Sequence, residues 1–281
     1  MFATRKAFII IAVVFLAVAS LGCGVTVDLG RFTAEEVVSK SFDVSGTTRV
    51  VVETFNGSIE VTTGAGNTVK ADVTKRGTGS TQAAAQDDLR NIEVTMTQDG
   101  NTVRIIARRT NQPFNMGNSG ARAVAQVPAG AILELRTSNG HLSVNGATSD
   151  VTARTSNGRI DVEGSQGRLR LDTSNGNIEV RSDSAVVTAQ TSNGQIIFAG
   201  ALAQGDHSFR SSNGRITLTL PAGASFRVDA DTSNGRVTSD LAVKRSGGSD
   251  EKHLSGVVGE NPTILIEAHT SNSNIEIRQG K

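Results

Sequence analysis

The sequence predicts an all-β chain: a right-handed parallel β-solenoid, β-helix-like, built from two-strand coils of about eighteen residues. Three observations predict it. Thr-Ser-Asn-Gly recurs at 137–140, 155–158, 173–176 and 191–194, a strict eighteen-residue period, with further or looser copies at 54–57, 211–214, 232–235 and 270–273. Around each copy apolar and polar residues alternate, as half-buried strands require. Val151 and Ala153, Leu169 and Leu171, or Val187 and Ala189 come before it; Ile160 and Val162, Ile178 and Val180, or Ile196 and Phe198 come after it. Third, the residue two before the motif reads Leu135, Ala153, Leu171, Ala189, Phe209, Ala230. Large alternates with small, which fills a stacked column without clashes or voids. Asn-Gly is also a hairpin signal, so an antiparallel meander or sandwich is the alternative.

From the N-terminus, Arg5 and Lys6 precede an apolar run from Ala7 to Ala19, the pattern of a secretory signal peptide over residues 1–22. The run is shorter than the roughly twenty residues that span a bilayer. Ser20-Leu21-Gly22-Cys23 resembles a bacterial lipobox, with Ser where Leu is preferred. Cys23 is the chain's single cysteine, which excludes an intramolecular disulfide and makes it the expected lipidation site. Residues 23–34 read as lipidated cysteine and tether, and 35–281 as one β-strand-repeat domain. The address this implies is the bacterial cell envelope, with the membrane reached through the lipid.

Strand alternation begins at Val37, runs through Phe42, Val44, Val50 and Val52, and forms a first coil around Asn56-Gly57 with Ile59 and Val61. Val69 and Val73 mark one more strand. Residues 80–91, with Ala83, Ala84, Ala85 and Leu89, predict a short helix that caps the apolar end of the solenoid. Ile92–Thr97 and Val103–Ala107 flank Asp99-Gly100 as an antiparallel hairpin. Residues 111–120 read as a loop, Val124 to Ala131 leads in, and regular coils occupy about 131–237. In these the Asn-Gly corner keeps its length while the second corner accepts insertions. Residues 239–262 interrupt the array by about one coil, after which Ile264, Ile266, Ala268, Ile275 and Ile277 supply a last one.

The motif residues carry a structural expectation. Asn139, Asn157, Asn175, Asn193, Asn213 and Asn234 would stack as an amide ladder, with a hydroxyl ladder from the motif Thr beside it. The paired Gly140, Gly158, Gly176, Gly194, Gly214 and Gly235 would supply positive φ at the corner.

A leader, an N-terminal strand set, a helix-and-hairpin insert, a strand ending in Val127-Pro128-Ala129-Gly130 and repeats of Thr-Ser-Asn-Gly-x-Ile-x-Val resemble a bacterial family: exported, adhesin-like β-strand-repeat proteins of unknown function. The resemblance covers about Val37 to the C-terminus. It implies a solenoid-like fold and carries over no catalytic, cofactor or ligand residue.

Motifs for thiol, zinc, serine-hydrolase or phosphate-loop chemistry are absent, so no cofactor or metal is expected. His141, His207, His253 and His269 lack metal-ligand spacing. Asp161 and Glu179 fall on adjacent coils at a separation that retaining glycosidases use, but Arg154 and Arg159 stand close enough to neutralise them. Net charge is +1 and Trp and Tyr are missing, which argues against nucleic acid and against aromatic sugar platforms. Arg210, Arg215, Arg227 and Arg236, read as two neighbouring coils, form a candidate anion patch. A non-enzymatic structural or adhesin-like envelope module leads, with an envelope protein or glycan as partner; a polysaccharide-binding or polysaccharide-cleaving solenoid is the alternative.

Overall fold

The computed structural model describes residues 32–110, 119–248 and 250–280. The expected leader, Cys23, most of the tether and most of the 111–120 loop lie outside these residues. The described chain opens with β1 (Phe32–Asp43), β2 (Arg49–Glu53), β3 (Ile59–Gly64) and β4 (Thr68–Gly79), followed by α1 (Gln82–Arg90). The hairpin β5 (Ile92–Asp99) and β6 (Thr102–Arg109) and the strand β7 (Gly120–Pro128) come next. Then follow β8 (Ile132–Arg136), β9 (Leu142–Asn145), β10 (Val151–Thr155), β11 (Ile160–Glu163), β12 (Gln166–Thr173) and β13 (Ile178–Thr191). Next are β14 (Ile196–Leu202), β15 (Gly205–Ser211), β16 (Ile216–Leu220), β17 (Phe226–Thr232) and β18 (Val237–Ser239). The chain closes with β19 (Lys244–Arg245), β20 (His253–Val258), β21 (Ile264–Thr270) and β22 (Ile275–Gln279).

The repeats stack in parallel, so the solenoid reading holds over the meander. Strands preceding the motif form one column, β2–β8–β10–β12–β13–β15, and strands following it form a second, β3–β9–β11–β13–β14–β16. Equivalent residues face each other one period apart, Val151 with Leu169 and Ile160 with Ile178. β13 serves both columns and bends through a bulge between Ser182 and Ala185 at the second corner. The inward side chains of both columns form one apolar cluster, in which Leu135, Ala153, Leu171, Ala189 and Phe209 follow one another in register as expected. Parallel stacking puts like positions one strand spacing apart, about 4.8 Å; this column alternates large and small, whereas the Ile160, Ile178, Ile196 and Ile216 column stacks like on like.

Chain order and stacking order part company at both ends. β21 pairs with β15 on one side and β17 on the other, and β22 lies between β16 and β18. The coil 264–279 is therefore interposed beneath 226–239 rather than added after it. The interruption at 239–262 is a cap: β20 runs antiparallel along β17, β19 pairs with β20, and Leu254 and Val258 are buried. The N-terminal end mirrors this, with β2 between β6 and β8 and β3 between β7 and β9. The coils β2–β3 and β21–β22 are thus bonded on both edges, and cap strands, β1, β4 and β5 at one end and β19 and β20 at the other, lie beyond them.

The N-terminal cap differs from the expectation. β1 begins at Phe32, inside the supposed tether, because β4 continues to Gly79 and pairs with it along its whole length. Antiparallel β1, β4 and β5 close the core with Phe42, Val69, Val73, Ile92 and Met96, whereas α1 adds none of its residues to that cluster. The helix offers mostly Ala, so strands with larger side chains cover the end better. α1 lies at the rim, on β4, where a Cβ on Gly77 would sit 2.4 Å from the Ala85 carbonyl oxygen. It is fixed by Thr81, whose hydroxyl caps Ala84 N–H at 3.1 Å, and by Asp88. The Asp88 carboxylate accepts from Thr78 N–H at 2.9 Å, from Ser119 and from Arg109. Burial pushes this carboxyl up, but those hydrogen bonds and the Arg109 charge outweigh burial and hold it below the usual carboxylate range.

Candidate binding surface

The corner between the columns is built from the motif itself. Its Thr or Ser is buried, and the hydroxyl donates to the glycine carbonyl of the adjoining coil: Thr155 to Gly140 at 3.2 Å, Thr173 to Gly158 at 3.0 Å, Thr191 to Gly176 at 2.9 Å and Ser211 to Gly194 at 3.0 Å. The expected hydroxyl-to-hydroxyl ladder is not what forms. The corner turns that carbonyl out of the strand ladder, and the Thr side chain satisfies it.

The motif glycines also act differently from the expectation. Gly140, Gly158, Gly176, Gly194, Gly214 and Gly235 do not have positive φ; of the motif glycines Gly57 of the first copy does (φ 144°), and others stand at the second corner, as at Gly164 (φ 60°) and Gly167 (φ 79°). What the motif requires is close approach. A Cβ on Gly176 would lie 1.8 Å from the Gly158 oxygen, and one on Gly214 1.6 Å from the Gly194 oxygen.

The asparagines form the expected ladder, each Nδ2 donating to the neighbouring Oδ1. Asn157 donates to Asn139, Asn175 to Asn157, Asn193 to Asn175 and Asn213 to Asn193, all at 2.7 Å. It then runs through Asn272, which bonds Asn213 at 2.7 Å and receives Asn234 at 2.8 Å. Asn213 and Asn234 are therefore not neighbours, and the sequence-level ladder missed Asn272. Beside this ladder Ser138, Ser156, Ser174, Ser192, Ser212 and Ser233 are exposed.

Along the first column, just before the motif, Arg136, Arg154, Asp172, Gln190, Arg210, His269 and Asp231 succeed one another in register. They line two shallow hollows, the first together with motif hydroxyls. One of about 410 Å³ holds Arg136, Arg154, Asp172, Gln190, Ser156, Ser174 and Ser192; one of about 340 Å³ holds Arg210, Asp229, Asp231, Glu267 and His269. Arg154 pairs with Asp172 at 3.2 Å, and His269 with Asp231 at 2.7 Å.

Asp161 and Glu179 do face each other across β11 and β13. Arg159 pairs with both, Arg181 holds Glu179, and His141 lies 3.1 Å from Asp161. The hydrogen bond to Asp161 raises the Arg159 guanidinium further above its ordinary value, against the effect of burial. Arg154 takes no part; it belongs to the other column. The four candidate arginines are spread by the interposed coil, whose Glu267 and Glu276 pair with Arg210 at 3.2 Å and Arg215 at 3.3 Å. Arg236 pairs with Glu251 of the cap at 3.1 Å, and Arg227 stands across from Leu265 and Val257.

His207 escaped the sequence reading. It is buried, Nδ1 accepts from Val187 N–H at 3.1 Å, and Nε2 donates to the Ala203 carbonyl at 2.9 Å. Its signal was positional, because His207 stands where Val151, Leu169 and Val187 stand in their coils. Among the described residues no group of three or more His, Cys, Asp or Glu could hold a metal ion, and no helix is long and apolar enough to cross a membrane.

The family model described as Toastrack DUF4097 matches residues 129–278. The chain belongs to that family. The Toastrack match spans β8 to most of β22, and so includes the whole reordered C-terminal end but only one of the three coils that interleave at the other end. Solved structures similar to the chain include a candidate cell adhesion protein from Clostridium sporogenes, 11% identical, covering 88% of this chain and 100% of that one, with a TM-score of 0.36. Candidate adhesins from Bacteroides fragilis (15% identical, covering 86% and 97%, TM-score 0.37) and Parabacteroides merdae (9%, covering 87% and 96%, TM-score 0.38) are also similar. Comparison with curated proteins finds no match.

Proposed function

We propose that this Toastrack chain is a lipid-anchored, non-enzymatic protein of the bacterial cell envelope, whose repeat surface serves as an adhesin-like or scaffolding interaction module. The observation that carries this reading is the motif strip: serine hydroxyls and asparagine amides exposed side by side, held at strand spacing by a continuous amide ladder. A side chain fixed by its neighbours loses little entropy when it meets a ligand, so such a strip is prepared for binding a repetitive partner. The leader pattern and Cys23 support export and anchoring by acyl chains. The ion pairs of Asp161 and Glu179 support the non-enzymatic part, since neither carboxylate stands free to act as nucleophile or acid.

A polysaccharide partner is the second reading, favoured by the hydroxyl, amide and charged side chains that line the 410 Å³ hollow. The test is binding of the purified chain to intact envelopes and to a glycan array, with a reducing-sugar assay alongside. Ser174→Arg should abolish capture while Thr217→Arg, on the other column, retains it. Equal binding by both variants would remove the strip from the reading, and release of reducing ends would overturn the non-enzymatic assignment. Glycan binding without cleavage would select the second reading.

A further inference from the structure

The described sheet has four terminal strands, and they are not alike. β18 is three residues long and β19 two, while β5 has eight. β1 has twelve, with no proline and no bulge, and among the described residues only β4 pairs with it. Long edges without proline or bulge are templates for pairing, and charges along such an edge, here Glu35, Glu36 and Lys40, restrict which strand it accepts. β1 also concentrates exposed apolar surface. Among the described residues the exposed large hydrophobic side chains are Phe32, Val37 and Val124; the first two are on β1, and Val124 is on β7, the next strand but one.

We propose that β1 is a self-association edge, at which two copies of this chain pair antiparallel about a twofold axis through Val38. The charge pattern selects the direction. A parallel in-register pair would set Glu35 against Glu35 and Glu36 against Glu36, which is unfavourable. The antiparallel pair sets Glu36 opposite Lys40 twice, by symmetry, and places Glu35 opposite Ser41. It brings the two Val37 side chains into diagonal contact on the outer face and the two Val38 side chains together at the axis. Both charged groups are already held at the edge. Lys40 Nζ donates to the Met96 carbonyl at 2.8 Å above the Phe42 ring, and one Glu36 oxygen pairs with Lys75 at 2.7 Å, leaving the other for the partner. Ordering them costs little on association. The proposal is independent of what the motif strip binds.

The experiment uses the full chain carrying Cys23→Ser, so that an added cysteine is the only one. Sedimentation velocity should show a monomer–dimer equilibrium that shifts with concentration up to about 100 µM. Val38→Cys should oxidise to a linked dimer, because directly opposed antiparallel Cα atoms lie roughly 4.5–5.5 Å apart, within disulfide reach; Thr217→Cys should stay monomeric. Lys40→Glu should weaken the dimer by about tenfold or more, and Glu36→Lys with Lys40→Glu should bring it back. Lys40→Glu also removes the bond to Met96, so its thermal melt is recorded, and the cysteine result does not depend on it. Monomer at every concentration, a dimer that fails to link through Val38→Cys, or a dimer indifferent to the charge changes each overturns the proposal.

Discussion

The middle of the molecule and its two ends use the same corner differently. From β8 to β16 each coil sits on the one before it in the chain; at either end the chain skips a level and a terminal coil fills the gap. The difference teaches that the motif specifies what may lie above and below a coil, not which coil it is. The Thr–Gly bond, the amide pair and the bare Cα form between neighbours in the stack, whatever their chain separation. Asn272 pairs with Asn213 across 59 residues as closely as Asn175 with Asn157 across 18. Chain order at the ends is then decided by the caps, which must cover apolar edges that no further coil will cover.

The largest effect expected from this comparison is all or none. On a Cys23→Ser background, cysteines at 213 and 272 should cross-link as readily as cysteines at 157 and 175, since each pair is one strand spacing, about 4.8 Å, apart. A pair at 213 and 234 should not, because two levels place them roughly 9.6 Å apart, outside disulfide reach. Linking of 213 to 234 and not to 272 would restore the sequential order.

Next come core truncations. Leu171→Ala should cost about 2–5 kcal/mol, and Ile275→Ala should fall in the same range because its coil is sandwiched like a middle one. Asp161→Asn and Glu179→Gln should change stability by no more than about 0.5 kcal/mol. Denaturant midpoints decide it: an Ile275 variant as mild as the carboxylate variants would make the terminal coil a frayed end.

At the corner, Gly176→Ala should cost roughly 1–3 kcal/mol by forcing apart two backbones. Gly130→Ala, with nothing within 4 Å of the added atom, should be near neutral. The end of the array sharpens the point, since Ser273 takes the glycine position in the interposed coil. A neutral Gly176→Ala would mean that the stack relaxes as freely in the middle as it must at Ser273.

The repeat, its register and its inward column were legible because strand periodicity and motif spacing are local. Alternation alone placed Leu135, Ala153, Leu171 and Phe209 correctly. The reordered ends were not legible, because Thr270-Ser271-Asn272-Ser273 fits any level and sequence distance gives no reason to skip one. The role of the motif glycine was misread for a related reason: Asn-Gly is a turn signal within one chain segment, whereas the constraint here comes from a carbonyl in another coil. The arginine patch dissolved when Glu267 and Glu276 arrived between its members. His207 was visible only as a polar residue on an apolar parity, a signal that sequence reading weighed too lightly.

That histidine supplies the smallest and last effect, at the boundary between the two regimes. β15 has the regular stack on one side and the interposed coil on the other, with His207 in register beside Val187 and Ile266. Burial pushes its imidazole below the ordinary value, against the raising influence of the Ala203 carbonyl and Asp206. A lowered pKa means that the fold prefers the neutral ring, so the unfolded chain binds more protons once the pH drops below about 6.5. The stabilisation is complete above that pH and is lost as the pH falls through the folded value. Geometry gives the same sign, because a proton on Nδ1 would remove the acceptor that Val187 N–H uses. Unfolding midpoints of the wild type and His207→Gln, measured from pH 7.5 to 5, should converge on acidification, and the wild-type Val187 amide should lose exchange protection before amides of the middle coils. A constant difference between the two proteins across that range would show that His207 takes up its proton alike in the folded and unfolded chain, and that the fold does not lower its value. Loss of protection beginning instead at Val151 would place the weaker boundary in the middle of the stack and reverse the comparison between centre and ends.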